Sequence, residues 1–211
     1  MLDNDSIMKE SVRQVASAED INVRIARRVR EFRLARAETM DSLAARSGVS
    51  KSMISLIERG EASPTAVVLE KLAAGLGVAM ATLFGPDESA QRQPISRRRE
   101  QAIWKDPESG YLRRNLSPTN WPTPIQLVEV QFPAGSRVAY DSVNRKPAIE
   151  QQVWVLQGQI ELTLGDQHFE LKAGDCLALR LDRPLVYSNP TTQAARYLVA
   201  ICDQAAMNLL Q

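Results

Sequence analysis

The chain has 211 residues, with 26 Lys and Arg against 25 Asp and Glu, one histidine and 44% hydrophobic residues. That length suits two small domains better than one large core, and the ordinary apolar and charged fractions exclude a disordered or fibrous chain. No apolar run approaches the roughly 20 residues of a membrane-spanning helix, and the opening MLDNDSIMKE lacks the basic-then-apolar order of a secretory signal. The expectation is a cytoplasmic protein with no membrane partner. Cys176 and Cys202 are too few and too far apart for a disulfide framework or a zinc knuckle, and read as buried free thiols.

Charge is unevenly spread. Residues 1–22 carry two basic and five acidic side chains and read as an N-terminal arm, partly disordered. Residues 23–85 carry ten basic and six acidic side chains, a local field that favours a polyanionic partner. In this segment apolar residues recur at helical spacing, as in Ile25, Val29 and Phe32, or Leu69, Leu72, Ala73 and Leu76. Residues 86–100, GPDESAQRQPISRRRE from Gly85 onward, have the composition of an exposed linker. From residue 101 to 211, short β-branched and aromatic runs alternate with Gly, Pro, Asp and Asn: IQLVEVQF, QVWVL, QIELTL, HFEL, CLALRL and RYLVAI. These predict an antiparallel sandwich or barrel, with a hairpin turning at Gly158.

The helical segment is sharply punctuated. Thr39 precedes MDSLAARS, Gly48 ends it, Ser50 caps KSMISLIER, Gly60 ends that helix, and Ser63-Pro64 opens another. Two short helices joined by three residues can cross steeply if Ala44 is small, Gly48 is left-handed, and Val49, Ile54 and Ile57 form the buried wedge. That spacing meets the requirement of a helix-turn-helix, although an αα-hairpin without a DNA role shares it.

The stretch from Ile25 to Phe84, with LAARSGVSKSMISLIERGEASPTAVVLEKLAAGLGV at its centre, closely resembles the XRE-type (Cro and phage-repressor) helix-turn-helix domain. Leu43, Ala44, Gly48, Val49, Ser50, Ile54, Ile57, Glu58, Gly60, Pro64, Leu69, Leu72, Ala73, Leu76, Gly77 and Val78 fill the family pattern. The resemblance implies a five-helix DNA-binding bundle. Met40 departs from it, standing where the family often has a phosphate-binding Gln. With Ile54 and Ile57 facing the core, Lys51, Ser52, Ser55, Leu56 and Arg59 lie outward, the first residues aimed at the major groove. Lys51 is the foremost base-reading candidate, the serines can serve several bases, and Leu56 suits a thymine methyl. Thr39, Ser50, Ser63, and Arg33 or Arg59 are candidates for phosphate contacts. Glu58 would repel phosphate and is expected to pair with an arginine.

The second half, from PAGSRVAYDSVNRKPAIEQQVWVLQGQIELTLGDQHFELKAGDCLALRLDRPLVYSNP, is similar to a cupin barrel over residues 120–202. VWVLQGQIELTLG and LKAGDCLAL match its two glycine-marked hairpins. In that frame Gln151 and Leu185 occupy positions that metal-binding cupins give to Glu and His, so no metal of the usual kind and no other cofactor is expected. His168 reads as an exposed strand residue, and no catalytic residues are assigned. Strand alternation puts Gln151, Val153 and Val155 inward and Trp154 and Leu156 outward. With Leu185, Tyr140, Arg145 and Tyr187, the inward residues outline a ligand pocket.

The combined expectation is a multidomain α + β chain: an N-terminal five-helix bundle containing a helix-turn-helix, and a C-terminal antiparallel cupin (jelly-roll) β-barrel. Such a chain is a transcription regulator, a repressor, that binds double-stranded DNA at a pseudo-palindromic operator, responds to a small organic effector and forms a homodimer through the outward Trp154 and Leu156. A cupin-fold enzyme tethered to DNA and an antitoxin-like dimerising DNA-binding protein are the alternatives.

Overall fold

Apolar residues one turn apart decide which face of the first helix is covered. In the computed structural model, which describes residues 18–85, 93–118, 121, 123–141 and 149–203, helix α1 (Ala18–Ala35) buries Ile21, Ile25 and Val29. Most of the expected N-terminal arm, and residues 86–92 of the expected linker, lie outside the described residues. Helix α2 (Met40–Ser47) begins where Thr39 accepts a hydrogen bond from the Ser42 N–H, and ends at Gly48, whose φ of 68° lets its N–H reach the Ala44 carbonyl. Three residues later comes helix α3 (Lys51–Glu58), capped by the Ser50 hydroxyl on the Met53 N–H. Val49, Ile54 and Ile57 are buried, as the wedge of a helix-turn-helix requires.

Helix α4 (Ala66–Leu76) corrects one boundary: its cap is Thr65, whose hydroxyl accepts from Val68 N–H, rather than Ser63. A 3-10 turn, Met80–Phe84, completes this unit and buries Met80, Leu83 and Phe84. There are thus four α-helices among the described residues where five were expected. The segment MATLF, followed by Gly85 and Pro86, is too short to carry more than a turn.

Helices α2 and α4 approach so closely that a Cβ on Gly75 would come within 2.8 Å of the Ser47 Cβ and 3.2 Å of a Leu43 methyl. Gly75→Ala should therefore destabilise the protein by about 1–3 kcal/mol despite its better helix propensity. Urea titration checks this, and a gain in stability would show that the helices part freely.

Ten strands follow among the described residues: β1 (Ile103–Lys105), β2 (Leu112–Asn115), β3 (Ile125–Phe132), β4 (Arg137–Tyr140), β5 (Ile149–Gln157), β6 (Gln159–Leu164), β7 (Gln167–Lys172), β8 (Cys176–Leu181), β9 (Leu185–Ser188) and β10 (Ala195–Asp203). They form two antiparallel sheets, ordered β1-β2-β3-β10-β5-β8 and β4-β9-β6-β7. The turn at Gly158 is not a hairpin. It carries the chain from β5 in the first sheet to β6 in the second, and Gly174 returns it from β7 to β8. The two corners meet where Ala173 N–H bonds the Gly158 carbonyl. A glycine with φ of 77° suits either arrangement, so the residue alone does not tell a hairpin from a sheet-to-sheet corner. The described strands make two antiparallel sheets.

The inward faces interlock. Val153 and Val155 of β5 and Ile160 and Leu162 of β6 are fully buried, whereas Trp154 is 47% exposed, as period-two alternation requires. The cysteines correct another expectation: Cys176 is exposed and Cys202 half-buried, because both fall on the outward phase of their strands, Cys176 directly opposite Trp154.

Both halves share one core. Trp104 of β1, 2% exposed, lies with its ring 5.6 Å from that of Phe84 on the helical side and 5.8 Å from that of Tyr111 on the sheet side. From Tyr111 the edge-to-face contacts continue through Phe132 to Tyr197. Asp106, also 2% exposed, accepts a 2.9 Å hydrogen bond from the Ala66 N–H, so a carboxylate of the sheet half caps the N-terminus of α4 and complements its dipole.

Candidate nucleic-acid interface and interior pocket

Helix α3 presents the expected outward residues. Lys51 and Ser52 are exposed, Ser55 and Leu56 are half-buried, and Arg59 is exposed at the end of the helix. Met53, 36% exposed, shares this surface; sequence reading missed it because one methionine beside Ile54 looks like core. Lys51 Nζ lies 2.8 Å from Asp41 Oδ2, with both side chains more than half exposed. A surface pair of this kind is worth little and can be given up for a base or a phosphate. Arg59 is held as a fork by Glu61 at 2.8 and 2.7 Å and also meets the Ser55 hydroxyl. Thr39 and Ser50 are exposed at the starts of α2 and α3. Ser63 is exposed too, its hydroxyl accepting from Asn22 Nδ2 at 3.1 Å.

Arg33 corrects the phosphate expectation. Its Nε and Nη2 both donate to the Glu58 carboxylate at 2.7 Å, its Nη1 donates to the Glu38 carbonyl at 2.9 Å, and its side chain is only 9% exposed. With every arm committed inside, Arg33 is an internal strut between α1 and α3, and Glu58 has the arginine partner that its position called for.

Between the two sheets lies an interior cavity of about 60 Å³. Of the expected pocket residues, Tyr140, Gln151, Leu185 and Tyr187 line it. Val153 and Val155 are corrected: they are fully buried in the packed core and do not reach the cavity. Arg145 lies outside the described residues. Four residues that sequence reading missed complete the chemistry. Tyr111 and Arg113 come from the start of the sheet half and Tyr197 from β10, while Glu70 comes from helix α4. All four tyrosines of the chain therefore line one cavity. Tyr187 and Tyr197 stack at 5.7 Å and 7°, Tyr111 and Tyr140 hydroxyls are 3.4 Å apart, and Tyr187 donates to Gln151 at 3.4 Å. Burial raises the pKa of each phenol, so all four remain neutral hydroxyl donors at neutral pH.

The one histidine of the chain, His168, is not among the residues that line this cavity. On the outside of the second sheet, ligand atoms of Glu161, His168 and Glu170 come within 4.8 Å of one another. The cross-strand register of β6 and β7 brings them together, and His168 and Glu170 are exposed.

A family model described as helix-turn-helix, HTH_3, matches residues 29–83, the span that holds α2, Gly48 and α3. Residues 29–83 are a helix-turn-helix domain. The chain is homologous to HTH-type transcriptional regulators. It is 26% identical over 169 residues to SutR of Escherichia coli K12, spanning 80% of this chain and 89% of that protein. It is 26% identical over 179 residues to PuuR of the same organism, spanning 82% and 92%. In three dimensions it is similar to an HTH_3 family transcriptional regulator from Vibrio cholerae, with a TM-score of 0.71 at 24% identity over 88% of this chain and 98% of that one; this likeness concerns the fold. No helix among the described residues is long and apolar enough to cross a membrane.

Proposed function

We propose that the chain is a sequence-specific DNA-binding transcription regulator whose cupin-like second half takes up a small organic effector and sets the DNA affinity of the helix-turn-helix domain. Residues 23–85 form the DNA-binding unit, 86–100 the connection and 101–211 the sensing unit. The carrying observation is that the cavity wall is built by both units: Glu70, Ala79 and Met80 of the helical half line it together with Tyr111 and Tyr187 of the sheet half. A ligand there touches the helix that follows the recognition helix, which gives it a differential contact with two dispositions of the domain. The effect travels inside one chain, through α4 and the Trp104 junction. The two recognition helices of a homodimer would read a pseudo-palindrome with half-sites about one helical turn apart. The outward side chain of Trp154, with Leu198 opposite it on β10, is the surface for that dimer. Repression is the expected sign, read by a reporter placed behind the operator.

Selection of bound sequences from random duplex DNA tests the reading: a two-fold symmetric consensus is expected, and retention without sequence preference would contradict it. On the selected site Lys51→Ala should cost about 1–3 kcal/mol, and much less on random duplex, if the lysine reads a base. Equal losses on both DNAs, measured by fluorescence anisotropy at fixed salt, would make it a phosphate contact.

A further inference from the structure

Buried N–H groups of a charged side chain that lack hydrogen bonds are costly, and such a group is retained where something else completes it. Arg113 on β2 is 8% exposed and lines the interior cavity, yet neither its Nε nor its Nη2 has a hydrogen-bond partner. One face of the guanidinium lies 5.4 Å from the centroid of the Phe84 ring, which orients the group without satisfying its N–H bonds. Around it the tyrosine hydroxyls are loosely engaged: the Tyr111–Tyr140 and Tyr187–Gln151 contacts, both 3.4 Å, stand at the long limit of a hydrogen bond. The cavity thus holds a planar cationic fork and neutral donors that can turn onto a guest, with aliphatic walls at Val138 and Leu185.

We propose that this cavity binds a small monocarboxylate. Its carboxylate oxygens accept from the Arg113 guanidinium, the pairing for which that fork is shaped, and from the tyrosine hydroxyls, while its short tail lies against Val138 and Leu185. At about 60 Å³ the space equals only a few water positions, which sets the guest at about three to six carbons. The proposal rests on the reading of the cavity as the effector site, and it adds the chemical class.

Isothermal titration of the full-length chain with sodium butyrate and valerate, against butyramide, butylamine and inorganic phosphate, separates the two claims. The carboxylates are expected to bind at least about tenfold more tightly than the amide. Arg113→Met should remove that preference, and Arg113→Lys, which keeps the charge but loses the fork, should restore part of it. If the methionine variant does not fold, the carboxylate-to-amide ratio of the natural chain and the lysine variant decide. Equal binding of amide and carboxylate, or preference for the amine, overturns the carboxylate assignment and leaves the effector site standing. Preference for phosphate overturns the apolar tail. Binding by none of the five overturns the carboxylate assignment, and the effector site is then decided by filling the cavity.

Discussion

Trp104→Ala is expected to cost about 3–5 kcal/mol of folding stability and to loosen both halves of the chain in one transition. The ring is 2% exposed and touches Phe84 at the end of the helical unit and Tyr111 at the start of the pocket. Neither neighbour can collapse far into the vacated space. Phe84 is also held under Arg113, and Tyr111 is tied to Asp106 through the bond from the Asp106 N–H to its carbonyl. Asp106 in turn caps α4, so loss of the indole should be felt at the N-terminus of a helix that belongs to the DNA-binding unit. Urea unfolding followed by circular dichroism and by tyrosine fluorescence reads both halves. Coincident transitions, shifted together in the variant, are expected. Loss confined to the sheet half would show that the two units are not mechanically joined.

Glu58→Ala is expected to be equally damaging, by about 3–5 kcal/mol, because it strands Arg33 in the interior. The pair is bidentate at 2.7 Å with side chains only 9% and 3% exposed, so water cannot replace the carboxylate. The magnitude belongs to the uncompensated charge more than to the attraction of the pair. It follows that Arg33→Met combined with Glu58→Leu should recover most of the loss, since apolar residues of similar volume leave nothing unpaired. Denaturation midpoints of the single and double variants check this. A double variant no more stable than Glu58→Ala would mean that the pair contributes through attraction after all.

The helical half was legible because its signals are local. A cap hydroxyl at Thr39 or Ser50 and a left-handed glycine at Gly48 act on backbone groups within one turn, so the sequence pattern and the geometry are nearly the same statement. Even there, Ser63 and Thr65 both precede Ala66, and which of them caps α4 depends on where Asp106 of the other half takes the first N–H. Arg33 was misread for a related reason. A basic residue late in a basic helix looks solvated, and only the folded chain brings Glu58, 25 positions on, within 2.7 Å of it.

In the sheet half, alternation along β5 placed Gln151 and Trp154 on the correct faces, but it says nothing about depth. Val153 and Val155 share the inward phase with Gln151 and end in solid core. Part of the missing side of the pocket came from Tyr111 and from Arg113 of β2, whose sequence LRRN is too short and too polar to show period two. Arg113 and Glu70 could not be placed on one cavity in advance, since one reads as a surface strand residue and the other as a surface helix residue until the two units share a wall. A usable signal did exist: four tyrosines in 211 residues, all in the sheet half, in a chain otherwise poor in aromatic residues.

The claim on which the account depends is that the interior cavity and the DNA-binding helices are coupled within one chain, and filling the cavity tests it without knowledge of the effector. Leu185, 1% exposed and on the cavity wall, is far in sequence from every residue of the helix-turn-helix domain. Leu185→Phe occupies the space from the sheet side. Operator affinity of this full-length variant, measured by fluorescence anisotropy at fixed salt beside the natural chain, should differ by at least about fivefold, the lower end of ordinary coupling energies, with the folded state retained. An unchanged operator affinity with the cavity filled would contradict the account.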